Sequence, residues 1–146
     1  MTDFNKAVKD WLLQCPAIRA DRMYFNFLSA GDENQSFQMI EHSTVCEDIV
    51  GNEIGKYTFV IIDFRSLSQK PLKFTLRDLD KAASAEQINT WIKEQRRKHN
   101  FPAFDGCTID EITVPPSPTF AGQDTSDNMH LAKYMIQVEI DYIKYT

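Results

Sequence analysis

Apolar residues recur at helical spacing near the start of the chain. Phe4, Val8, Trp11 and Leu12 fall at i, i+4, i+7 and i+8, which predicts a helix over residues 3–14 with one apolar face. Thr2 or Asp3 is a candidate N-cap, and Pro16 stops the helix soon after Leu13. Residues 22–28 are dense in aromatics and read as a strand. The turn cluster at 30–34 then predicts a hairpin to a second strand over residues 36–42, where Phe37 alternates with Met39 and Ile40 breaks the pattern. Residues 43–50 fit a strand or a loop, and 51–55 read as a turn. Lys56–Arg65 is apolar on both faces, which predicts a central strand or one lying against a partner. The segment 74–79 fits an edge strand or an irregular approach to a helix.

The second half is more regular. Ile88, Trp91, Ile92 and Gln95 mark a helix face over residues 84–99, with Ser84 and Gln87 spaced as a capping box. A strand follows at 109–114. It breaks at Pro115-Pro116-Ser117-Pro118, and residues 115–131 then read as one long loop. Loops of that length in compact domains tend to be functional. From Ala132 to Tyr145 the chain alternates strictly. Tyr134, Ile136, Val138, Ile140 and Tyr142 form an apolar face, and the opposite face begins polar and ends apolar. The expected fold is α+β: a mainly antiparallel sheet of about 4–6 strands with two helices packed on one face, in a single domain spanning 1–146.

Composition narrows the function classes. The 146 residues suffice for one core, burying roughly 68–70% of the unfolded surface. Sixteen Lys and Arg against 21 Asp and Glu leave a net charge of −5, which argues against nucleic-acid binding as the main role. No run reaches the roughly 18 apolar residues of a membrane span, and residues 1–6 lack the pattern of a secretory leader. Cys15, Cys46 and Cys107 are odd in number and widely spaced, so a reducing compartment is the simplest expectation.

Candidate chemistry is sparse. His42, His99 and His130 lie far apart and predict no metal site. Carboxylates beside Cys46 disfavour its thiolate. Glycine-rich phosphate loops are absent from the sequence. Neither a catalytic residue nor a cofactor-binding or metal-binding residue is expected. The basic run 93–98 sits at a helix C-terminus, where the macrodipole accounts for it. Two regions remain. Phe120, Gln123, Asp124, Met129 and His130 in the long loop are candidate assembly contacts, with the aromatic as anchor. Glu47, Asp48 and Glu53 form an acidic group suited to a solvated turn.

The stretch Ile88-Asn-Thr-Trp-Ile-Lys-Glu-Gln95, then Asn100-Phe-Pro102, then the Pro-Pro…Gly-x-Asp segment 115–124 and the closing Ala132–Tyr142 carry a resemblance. They resemble minor capsid or tail proteins of phages of Gram-positive hosts, which are similar to the tail terminator (tail completion) proteins of long-tailed phages. The likeness covers residues 84–146 well and 1–65 only in element order.

The resemblance implies a non-enzymatic virion protein, assembled in the host cytoplasm and located at the head–tail junction. It implies a ring, usually a hexamer, that caps the head-proximal end of the tail tube, stops its polymerisation and offers the head-attachment surface. Implied partners are further copies of the chain, the tail tube protein, the head–tail connector protein and, in a contractile tail, the sheath. DNA passes through the lumen, which Glu47, Asp48 and Glu53 would then face. No cofactor and no membrane are implied. Alternatives are an adaptor module of another ring assembly, a head–tail connector adaptor, or a small enzyme using the region around Cys46.

Overall fold

The computed structural model describes residues 3–25, 34–66, 83–126 and 129–145. Among them, two helices lie on one side of a six-stranded, mostly antiparallel sheet. The elements are α1 (Phe4–Leu12), β1 (Met23–Phe25), β2 (Gln35–Glu47), β3 (Glu53–Ser66), α2 (Ala83–Lys98), β4 (Cys107–Thr113), β5 (Thr119–Ser126) and β6 (Met129–Lys144). The strand order is β1-β2-β3-β6-β4, with β5 also paired to β6. The α+β class, the strand number and the helices on one face agree with the sequence pattern. The expected segment 74–79 lies outside the described residues.

Alternation explains the layering. On β3, Tyr57, Phe59 and Ile61 face the helices, and on β6 Ile136, Val138, Ile140 and Tyr142 join them. Val8, Trp11 and Leu12 of α1 and Ala85, Ile88 and Ile92 of α2 close this core. Val60, Ile62 and Phe64 are buried on the opposite face with Met135 packed against them. This accounts for the two apolar faces of β3, which runs between β2 and β6.

The helix ends are set by specific bonds. Asp3 caps α1, its carboxylate accepting from the Lys6 amide at 3.0 Å. Ser84 lies one residue inside α2, which already includes Ala83. At the other end His99 takes a left-handed φ of 56°. The Asn100 amide then donates to the Gln95 carbonyl at 3.0 Å and the His99 amide to that of Arg96 at 3.3 Å. These are the two bonds of a Schellman stop. Asn100 also ties the helices together, since its carbonyl accepts from Trp11 Nε1 at 2.8 Å and Trp11 stacks tilted on Trp91 at 5.0 Å.

Two strand expectations are corrected. β1 and β2 run parallel, with Met23 opposite Gln35, so they do not form a hairpin. The start of β2 is pinned beside the segment before β1: the Gln35 amide donates to the Arg22 carbonyl. The Gln35 side chain also accepts from the Arg19 amide and donates to the Ala17 carbonyl. A hairpin would place the first residue of β2 opposite the last of β1.

The long loop over 115–131 is likewise replaced by a strand pair. β4 and β5 run one after the other along the same edge of β6, whose other edge is taken by β3. Among the described residues of this stretch the main break from the sheet is Val114–Pro118, five residues standing opposite the three from Ile136 to Val138. Prolines 115, 116 and 118 cannot donate to a ladder, so they interrupt the edge without ending it. Pairing then resumes at Thr119.

Candidate functional site

The two sequence-predicted regions fall at opposite ends of the sheet. Glu47, Asp48 and Glu53 surround the β2–β3 turn, beside the C-terminal end of β6, where Glu53 pairs with Lys144. Gln123, Asp124, Met129 and His130 lie on the β5–β6 hairpin, opposite Ala132, Leu131, Ser126 and Thr125 respectively. The strand β6 joins the two ends. At ~3.3 Å per residue its sixteen residues make roughly 50 Å of strand.

At the first end Asp48 builds the turn. Its carboxylate accepts from the amides of Val50 at 3.0 Å and Asn52 at 2.9 Å, and from the Asn52 side chain at 3.0 Å. Hydrogen bonding to Asn52 holds its carboxyl below the usual range. Glu47 and Glu53 sit directly opposite one another, so two like charges meet across the strands. The turn itself presents apolar side chains: Ile49 is 103% exposed, and Val50 is also in solvent.

At the second end Phe120 is 52% exposed. It rests edge-on against Tyr134 at 5.6 Å, held by its place on the β5 edge. Of the five expected assembly contacts, the backbone pairing therefore brings all five into one hairpin and its stem.

Sequence reasoning missed two features. The first is a ring cluster at the sheet's helix-facing side. His42 Nε2 and the Tyr142 hydroxyl share a hydrogen bond of 2.7 Å. Phe4 packs on His42 at 4.4 Å and on Phe104 at 4.4 Å, and the Tyr57 hydroxyl donates to Asn5 Oδ1. Burial lowers the His42 pKa, with the Lys144 charge adding to it. His42 reaches this face because β2 bulges between Met39 and Glu41, which shifts the alternation by one. Ile40, the residue that breaks the sequence pattern, is the extra one.

The second is the work of the basic run. Lys93 donates to the Pro116 carbonyl, Arg96 to the Ile112 carbonyl at 3.4 Å, and Asn89 to the Pro115 carbonyl at 3.0 Å. Asn89 and Lys93 of α2 thus serve two carbonyls of the proline break, and Arg96 reaches one on β4. Arg97 and Lys98 remain exposed.

Among the described residues no group of His, Cys, Asp or Glu is arranged to hold a metal ion. Burial raises the Cys15 and Cys107 thiols above the ordinary value; Cys46 is exposed on β2. No described helix is long and apolar enough to cross a membrane. Neither a family model nor a curated protein matches the chain.

Proposed function

We propose that this chain is a structural assembly protein, a subunit of a ring that caps the head-proximal end of a phage tail tube. The ring stops tube polymerisation and offers the surface for head attachment. Two arguments support this. Residues 84–146 resemble tail terminator proteins. The sheet also projects side chains suited to contact at both of its ends: Ile49 and Val50 at the β2–β3 turn, and Phe120 on the β5 edge. The observation that carries the reading is this two-ended exposure. Exposed apolar groups rimmed by polar residues mark interaction sites, and a ring subunit between tube and head needs contacts above and below.

Within this proposal the partners are further copies of the chain, the tail tube protein below and the head–tail connector protein above. Glu47 and Glu53 are free to face a lumen, where negative charge lets DNA slide without sticking. Asp48 is engaged in its turn and contributes less.

The test is polymerisation of the tail tube protein encoded beside this gene. Added chain is expected to stop elongation at one tube end, and Ile49→Asp with Val50→Asp or Phe120→Asp to weaken capping at least tenfold. Unaltered elongation in the presence of folded chain, or the lack of any neighbouring tube gene, contradicts the proposal.

A further inference from the structure

The sheet face turned away from the helices gathers negative charge near the β2–β3 turn. In cross-strand rows Glu41 and Glu139 flank Thr58, and Asp141 lies between Lys56 and Glu111. Asp110, at the β4 bulge, adds its repulsion to Asp141. Glu139, Asp141 and Glu41 act on one ammonium, that of Lys56, which bonds Glu139 at 3.2 Å, and Glu111 and Asp110 extend the negative face beside Asp141. Crowding and burial push the Asp141 carboxyl up, burial contributing most and Glu139 next. At the centre of the group Thr58 is 3% exposed and its hydroxyl has no hydrogen-bond partner. A buried unpaired hydroxyl is costly. A cationic donor entering between Glu41 and Glu139 would answer the carboxylates and the hydroxyl oxygen together.

The same chain carries the matching group on its other side. α2 packs on the helix-facing side, where Ile88 and Ile92 share one buried core with Ile136 and Ile140. It ends in Arg97 and Lys98, exposed and without an ion pair among the described residues. Because no described carboxylate group is closed enough to hold a metal, long cationic side chains fit the acidic face better than an ion does.

We propose that the acidic outer face around Thr58 receives the Arg97–Lys98 end of α2 from a second copy of this chain. The two surfaces lie on opposite faces of one molecule, so the contact is head-to-tail. Such contacts propagate into closed rings or filaments and do not stop at a two-fold dimer. The contact deepens the ring proposal and rests on it only for closure at a fixed number of copies.

The test uses two charge-reversed variants, Glu41→Lys with Glu111→Lys, and Arg97→Glu with Lys98→Glu. All four positions are exposed, so both variants should fold, which circular dichroism checks. Sedimentation velocity at low salt is expected to show self-association of the natural chain that weakens as salt rises. The screening length falls from about 30 Å at 0.01 M to about 10 Å at 0.1 M. Each variant alone should lose association by at least tenfold, and an equimolar mixture should recover it, because each then offers the charge the other lacks. A natural chain that stays monomeric at low salt, variants that still associate, or a mixture that stays dissociated would each overturn the contact. Tube capping by a ring indifferent to these charges overturns the contact and leaves the proposed function. Association through these charges without tube capping does the reverse.

Discussion

Gly55 shows how one residue without a side chain shapes the ring cluster. A Cβ there would collide with the Tyr142 ring, which closes the cluster over Phe104 and His42. Gly55→Ala is expected to cost about 1–3 kcal/mol, the usual range for overpacking, measured by denaturant unfolding. His42 adds a pH dependence. Its folded pKa is depressed, so the unfolded chain takes up a proton first as pH falls. Stability should be full above the ordinary histidine value of about 6.5 and should decline as pH drops through it. Unfolding midpoints from pH 8 to 5 check this, and His42→Gln should flatten that segment of the curve. His99 stops α2 in a left-handed conformation that ordinarily favours glycine. His99→Gly should therefore stabilise by about 1 kcal/mol. None of these roles was legible locally. The His42 position depends on a bulge two residues upstream, and the Gly55 contact joins residues far apart in the chain.

At the level of elements, sequence pattern succeeded where an apolar period ran unbroken, on one face in α1, α2 and β6 and on both faces in β3. α1, α2, β3 and β6 were all readable, because their apolar residues keep one period over several turns or pleats. Pattern failed where pairing decided. Thr119–Ser126 has little apolar alternation, and its strand state comes from hydrogen bonding to β6. The proline cluster pointed to a break, and a break is present, but it spans only Val114–Pro118. Lys93 and Arg96 could be seen as a helix-end charge run, whereas the carbonyls they serve belong to a different element. Hydrogen exchange of the free protein separates strand from loop: amides of β5 that pair with β6 should exchange more slowly than the Ser117 amide. Lys93→Met together with Asn89→Ala should loosen the break. Faster exchange at β5 and a loss of about 0.5–1.5 kcal/mol are expected, the net worth of an ordinary hydrogen bond, because the exposed Pro116 carbonyl is left to water.

Across the whole molecule, the sheet separates its exposed features by direction. Ile49 and Val50 are exposed at the β2–β3 turn and Phe120 on the β5 edge, with Ile40 and Val45 exposed along β2, and opposite charges stand on its two faces. The first arrangement suits stacking between unlike partners, and the second suits repetition of like subunits around an axis. The α+β class followed from hydrophobic period alone. The surfaces did not, because they arise from which strands neighbour one another. The ring on a tail tube is the central claim, and native mass spectrometry with and without tail tubes tests it most directly. A closed, six-copy ring bound to one tube end, reached from weakly associating free chains, is the expected result. Monomers that never join the tube, or tubes decorated along their length with no terminal ring, would contradict it.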